Sequence, residues 1–137
     1  MKQLRFFLLS IIVLASCQSK PVAGETVILA DGSYQNIAPD ALNTMLKDKN
    51  FVLVNVHIPF AGNIAGTDLS IPYDQISAAE NLSQLPADKS ARIILYCRSG
   101  RISEIAAEKL VSLGYTNVWN LAGGMAAWEQ AGQQLEK

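Results

Sequence analysis

The loop that begins at Cys97 carries the residue types best suited to covalent chemistry in this sequence. The thiol is followed by arginine, serine, glycine and a second arginine, and the run continues through Ile102 to Ser103. A β-rich stretch ends directly before the cysteine, and a helical pattern starts directly after the second arginine. Backbone N–H groups of such a loop can converge above the sulfur. Together with the positive end of the helix dipole they favour the thiolate. We therefore predict that Cys97 is a nucleophile.

The residues after the cysteine divide into groups with different expected roles. Gly100 suits a bowl-shaped loop, because such a loop commonly needs a positive φ at one position. Arg98 and Arg101 carry charge that could recruit a small anion or stabilise a charged intermediate. One of the two is expected to be an ordinary solvated charge, and Arg98 is the better candidate for the site. Ser103 is expected either to cap the helix or to complete the bowl of amides.

Less reactive interpretations of the same residues stay open. Cys97 could be a buried structural thiol, since free cysteines are often buried. His57, the single histidine, follows an apolar stretch. It either acts as a proton donor in the reaction or only makes a structural hydrogen bond in place of a neighbouring residue. Trp119 and Trp128 are expected in the core, and the pair at Gly123 is expected to serve a turn.

The elements that must position Cys97 follow from hydrophobic patterning. Five stretches have the composition of strands: residues 27–30, 51–56, 69–71, 92–96 and 117–121. Four stretches are typical of helices: residues 37–47, 73–85, 102–113 and 125–130. Pro39 suits a first helical turn and Gly114 a helix end. This order predicts an open α/β sheet with right-handed crossovers, in which ligands bind outside the carboxyl ends of the strands. Cys97 falls at such an end.

Three segments together resemble the rhodanese homology family over residues 25–137. They are the loop 97–100, the strand end Val54, Asn55 and Val56, and the residues Leu121, Gly123, Gly124, Met125, Ala127 and Trp128. The resemblance implies a mainly parallel five-stranded sheet with helices on both faces. It also implies a sulfurtransferase whose nucleophile is Cys97, without metal or cofactor. The backbone amides that would cradle a persulfide are those of Arg98, Ser99, Gly100, Arg101, Ile102 and Ser103.

The sequence departs from the family pattern at several positions. Asn55 and His57 stand where the family usually has aspartate and arginine, so they are accessory site candidates, and the change is expected to alter loop support rather than the nucleophile. Residues 62–65 read glycine, asparagine, isoleucine, alanine where glycine, histidine, isoleucine, proline is common. Ile102 offers one hydrogen bond fewer to an oxyanion, which counts against thiosulfate as donor. Ser103 occupies the place where protein tyrosine phosphatases require arginine, which argues against that activity.

The amino terminus has the pattern of a secretory signal. Lys2 and Arg5 precede an apolar run that is too short to span a membrane comfortably as a helix. The run ends in leucine, alanine, serine and Cys17, which resembles the lipobox of bacterial lipoproteins. We expect a signal peptide at 1–16, lipidation of Cys17, a tether over 17–24 and a folded domain at 25–137. An ordinary secretory signal with a chance cysteine is the alternative. Gln18 is not the aspartate associated with inner-membrane retention, so an outer-membrane anchor facing the periplasm is preferred.

Composition limits the remaining function classes. The 137 residues are half apolar, which suits one domain, and 11 basic residues against 12 acidic ones provide no basic surface for nucleic acid. The expected partners are a small sulfur anion or persulfide donor, a thiol or cyanide acceptor, the membrane and a protein of the envelope. The leading hypothesis is a sulfurtransferase, and the alternative is a non-catalytic binding or redox-sensing module. A thiol oxidoreductase is weaker, because only two cysteines are present and Cys17 is assigned to the lipid.

Overall fold

A computed structural model describes residues 24–137. The predicted signal peptide, the lipidation site Cys17 and nearly all of the tether lie outside the described residues. The strands are β1 (Glu25–Leu29), β2 (Gly32–Ile37), β3 (Val52–Asn55), β4 (Asn63–Ile64), β5 (Leu69–Ser70), β6 (Ile93–Tyr96), β7 (Val118–Leu121) and β8 (Leu135–Glu136). The α-helices are α1 (Pro39–Leu46), α2 (Ala79–Leu82), α3 (Arg101–Ser112) and α4 (Gly124–Gln130).

The central sheet has the strand order β1-β2-β7-β6-β3-β5, and its strands are parallel except for the antiparallel edge strand β1. This confirms the predicted α/β class, but the expected count of five strands is wrong, because the main sheet has six. The extra strand is β2, whose polar sequence gives little strand signal. Its backbone hydrogen bonds come from the hairpin with β1 and from its pairing with β7. The helix expected from residue 37 accordingly begins at Pro39.

Helices cover both faces of the sheet, as predicted. Val54 and Leu95 point toward α3, where they pack with Ala106 and Leu110. The strand residues that alternate with these point to the opposite face of the sheet. There they form a second core with Leu42 of α1 and Trp128 of α4. Central parallel strands are buried on both faces, which explains their almost unbroken apolar sequences.

The helix predicted over residues 73–85 is interrupted. The chain forms a 3₁₀ turn at Tyr73–Gln75 and then the short helix α2, with Ala78 extended between them. This break allows both Ile76 and Leu85 to be buried in the core beside α3. The prediction of one continuous helix over this stretch is therefore wrong, because the chain forms two short helical turns instead.

A small ribbon joins the end of the described chain to the loop after β3. Asn63 pairs with Glu136 and Ile64 with Leu135, in antiparallel register. Strands of two residues show no periodicity, so the sequence did not reveal this pairing. The ribbon fixes residues 62–64 beside the carboxyl edge of the main sheet.

Candidate active site

The cysteine loop is held in place by α4. Cys97 directly follows β6, and its carbonyl oxygen accepts the Met125 N–H at 2.8 Å. The next carbonyl, that of Arg98, accepts the Ala126 N–H at 3.0 Å. A side chain at Gly124 would meet the Cys97 carbonyl oxygen at 2.2 Å, so only glycine allows this approach. The glycine pair predicted to serve a turn therefore also presses α4 against the loop.

Two donors face the sulfur of Cys97. The Gly100 N–H donates to Sγ at 3.1 Å, and the Ser103 hydroxyl lies 3.3 Å from the same atom. The hydroxyl is also 2.9 Å from the Gly100 carbonyl oxygen, so its single hydrogen serves one acceptor at a time. Hydrogen bonds to a charged form favour that form, and the sulfur sits at the amino terminus of α3. This surrounding stabilises a thiolate or a sulfur-extended anion.

The conformation of Gly100 permits this geometry. Its φ is +93°, which side chains rarely adopt, and an added Cβ would lie 3.0 Å from the Gly123 nitrogen. The positive φ expected at this position is therefore present.

The other predicted loop residues point elsewhere or are exposed. Arg98 is half-exposed and its guanidinium Nη1 lies 3.2 Å from a carboxylate oxygen of Glu129. Ser99 and Arg101 are exposed, whereas the Ile102 side chain is partly buried against the core beside α3. Among the described residues, the groups hydrogen-bonded to the sulfur are those of Gly100 and Ser103.

Asn55 organises the loop that follows β3. It is 2% exposed, its Oδ1 accepts the His57 N–H at 3.0 Å, and its Nδ2 donates to the Gly62 carbonyl oxygen at 3.0 Å. Nδ2 also donates to Oδ1 of Asn63 at 2.9 Å. His57 is partly buried, and its Nδ1 has no hydrogen-bond partner in the described part of the chain. Through these hydrogen bonds Asn55 supports the loop that follows β3.

Tyr96 is a supporting residue that sequence reasoning missed. Its fully buried hydroxyl accepts the Ile64 N–H at 3.0 Å and donates to Asn63 Oδ1 or to Thr67, whose hydroxyl is 2.7 Å away. Burial raises the pKa of Tyr96 above its ordinary value, while the hydrogen bonds from Thr67 and Ile64 oppose that effect. The sequence did contain a signal for this role, because Tyr96 is the one phenol at the end of an aliphatic strand and directly precedes Cys97.

A cleft of about 500 Å³ opens beside the cysteine loop. The residues that line it include Ala61, Arg98, Glu129, Gln133, Leu135 and Lys137. A neighbouring depression of about 310 Å³ is bordered by Phe60, whose side chain is exposed. Of these residues the sequence pointed to Arg98 alone, because the other walls depend on the packing of α4 and on the β4–β8 pairing.

The region from β3 to the end of α4 carries a family signature. The sequence model of the Rhodanese-like domain matches residues 53–131, a span that includes Cys97, Gly123 and Gly124. The chain belongs to the rhodanese-like domain family. The predicted membership is thereby confirmed.

Two relatives and one solved structure illustrate this membership. The chain is 35% identical over 98 residues to an uncharacterized protein of Synechocystis, covering 70% of this chain and 52% of the relative. It is 32% identical over 99 residues to a sulfurtransferase of Allochromatium vinosum, covering 70% and 89%. The crystal structure of a rhodanese-like domain protein from Staphylococcus aureus superposes with a TM-score of 0.60 at 28% identity, covering 74% of this chain and 98% of that one. The chain thus spans about half of one relative and most of another.

Among the described residues, no helix combines the length and apolar character needed to cross a membrane.

Proposed function

We propose that the protein is a sulfurtransferase that stores sulfur as a persulfide on Cys97. The observation that carries this proposal is the pair of donors, the Gly100 N–H and the Ser103 hydroxyl, directed at Sγ. A structural thiol packed in a core needs no such donors. The chain also belongs to a family in which relatives are named sulfurtransferases, and this membership supports the same activity.

The reaction follows from this geometry in two displacements. The Cys97 thiolate attacks the sulfane sulfur of a donor; a new S–S bond forms, the donor's bond to that sulfur breaks, and the leaving group takes its electron pair. With thiosulfate the leaving group is sulfite, and with a persulfide donor it is a thiolate. An acceptor thiolate or cyanide then attacks the outer sulfur, and the electron pair of the breaking S–S bond returns to Cys97 Sγ. The loop donors stabilise the negative sulfur in both resting forms.

The loop favours a persulfide donor over thiosulfate. Ile102 contributes a half-buried aliphatic side chain where a polar one could bond an oxyanion, and Arg98 is paired with Glu129. An incoming dianion would have to compete with that carboxylate. A persulfide places less charge at the same position, so it meets less repulsion.

The location proposed for this activity is the cell envelope. The sequence pattern around Cys17 supports a lipid that would anchor the domain, and the absence of aspartate directly after that cysteine favours the periplasmic face of the outer membrane. The test is metabolic labelling with a palmitate analogue in wild type and Cys17→Ala, followed by membrane fractionation. Label and membrane association should both require Cys17. Unlabelled protein that is nevertheless processed and released to the periplasm would replace the anchor with an ordinary secretory signal.

Mass spectrometry of residues 18–137 tests the persulfide directly. Wild type treated with thiosulfate, or in parallel with a polysulfide, should gain about one sulfur mass, ~32 Da, and added thiol should reverse the gain. Cys97→Ser should gain nothing, whereas Ser112→Ala, at the far end of α3, should behave as wild type. Absence of any gain with either donor would overturn the activity.

A second candidate function is a non-catalytic binding or redox-sensing module. The observation in its favour is the burial of Cys97, which is 1% exposed. This candidate requires that an envelope partner bind equally well to wild type and to Cys97→Ser in an affinity-capture experiment. Loss of capture in the serine variant would count against a thiol-independent module.

A further inference from the structure

The cleft beside the cysteine loop presents charges of both signs in a small space. Arg98 and Lys137 contribute two cations, and Glu129 contributes one carboxylate. Arg98 and Glu129 are each about half exposed, so both can still reach a ligand. The cleft volume of about 500 Å³ is in the range of roughly 300–1,000 Å³ that small-molecule sites occupy.

We propose that this cleft binds the sulfur acceptor and that the acceptor is an α-amino-acid thiol, with cysteine as the simplest case. The proposal rests on the sulfurtransferase function proposed above. The ammonium of such a thiol pairs with Glu129, and its carboxylate pairs with Lys137 or with the free edge of the Arg98 guanidinium. A purely anionic ligand would meet the Glu129 carboxylate, and a purely cationic one would meet Arg98. A zwitterion satisfies both signs of charge.

The cleft borders the cysteine loop at Arg98, and Cys97 itself is not one of its lining residues. Arg98 lines it and is the residue directly after Cys97, so the two Cα atoms are about 3.8 Å apart. A persulfide S–S bond of about 2.05 Å carries the transferable sulfur further from the backbone than the nearly buried Sγ. The amino-acid thiolate attacks this outer sulfur, its own S–S bond forms, and the Cys97 S–S bond breaks. Cys97 leaves as thiolate, the thiol proton goes to solvent, and the product is the amino-acid persulfide.

Residues outside the cysteine loop therefore determine the choice of acceptor. Glu129 lies on α4, and Lys137 follows the β4–β8 ribbon. Both can be changed without altering the donors to Sγ, so acceptor recognition can be tested separately from persulfide formation.

Sulfur release from the persulfidated protein to four thiols measures this recognition. Cysteine carries both charges, 3-mercaptopropionate only the carboxylate, cysteamine only the ammonium and 2-mercaptoethanol neither. Rates are expressed per thiolate and divided by the 2-mercaptoethanol rate. Wild type should prefer cysteine by about twofold to fivefold, the range of selectivity that an exposed ion pair supplies. Glu129→Gln should lose the advantage of the two ammonium-bearing thiols, and Lys137→Gln that of the two carboxylate-bearing thiols. Glu80→Gln, an equivalent charge change on exposed α2, should retain the wild-type ratios.

Binding without chemistry distinguishes a failed acceptor site from a failed sulfurtransferase. S-methylcysteine is titrated into the Cys97→Ser protein, and amide shifts are followed by NMR. Shifts around Glu129 and Gln133 that disappear in the Glu129→Gln double variant support the site, even if Cys97 forms no persulfide. Equal transfer rates to all four thiols, or a titration without localised shifts, would overturn the acceptor assignment and leave persulfide formation standing on its own mass-spectrometric test.

Discussion

The Ser103 hydroxyl lies 3.3 Å from Sγ of Cys97, six residues earlier in the chain. The first turn of α3 brings the two residues together, because Gly100 reverses the chain with a positive φ directly before the helix. Ser103 is completely buried, so its hydroxyl has protein acceptors and no bulk water around it. The contact predicts a direct role for Ser103 in stabilising the negative sulfur.

Ser103→Ala should slow alkylation of Cys97 by iodoacetamide and slow persulfide formation by about tenfold. A hydrogen bond to a charged group contributes about 1.5–3 kcal/mol, and 1.4 kcal/mol corresponds to a factor of ten. Ser112→Ala removes a hydroxyl from the other end of the same helix, where it bonds the Lys109 carbonyl oxygen, and should react at the wild-type rate. Wild-type reactivity in Ser103→Ala would show that the Gly100 N–H is sufficient.

Gly124→Ala should destabilise the fold by about 3 kcal/mol or more. The new Cβ would meet the Cys97 carbonyl oxygen at 2.2 Å, in addition to the cost of a positive φ of about 1–2 kcal/mol. Gly132→Ala is the matched control, since its φ is +86° and no atom lies within 4 Å of the added Cβ. Urea unfolding of the two variants measures the difference. Equal midpoints would mean that α4 can move away from the cysteine loop at little cost.

Asn55→Asp restores the residue type common in the family but should destabilise this protein by about 1–3 kcal/mol. The carboxylate would face the Gly62 carbonyl oxygen and Asn63 Oδ1, both of which now accept hydrogen bonds from the amide. Asn50→Asp, on the exposed turn before β3, introduces the same charge without this conflict. Chemical denaturation compares them at neutral pH. A stable Asn55→Asp protein would require that the loop re-form with different donors.

Alkaline conditions should weaken the fold through Tyr96. Because burial raises its folded-state pKa above the unfolded value of about 10, the stabilisation is fully present below pH 10 and is lost as the pH rises through the folded pKa. Tyr96→Phe should be less stable at neutral pH, since the Ile64 N–H loses its acceptor, but its unfolding midpoint should fall less between pH 9 and 11. Tyr34, whose pKa is also raised by burial, retains part of the alkaline loss in that variant. Parallel pH dependences in the two proteins would refute the assignment.

Local sequence patterns predicted the parts of this fold that depend on local rules. The aliphatic run before Cys97 and the glycine three residues later were sufficient to place a strand, a tight turn and a helix around the nucleophile. The β2 strand and the β4–β8 ribbon were missed, because their stability comes from partners distant in sequence and their own residues are polar or few. The same limit applies to the site. Ser103 could be proposed from its place in the loop, whereas Glu129 reaches Arg98 only through the packing of α4 against that loop.

The two main-chain hydrogen bonds from α4 to the cysteine loop have a consequence for how this domain can diverge. The N–H groups of Met125 and Ala126 donate to the carbonyl oxygens of Cys97 and Arg98. Because these are main-chain groups, a substitution at any of the four residues, other than to proline, removes neither a donor nor an acceptor. The loop can therefore keep its shape while the exposed side chains at 98, 99 and 101 change freely. Substrate preference can drift by point mutation on a scaffold whose reactive sulfur stays where the backbone holds it.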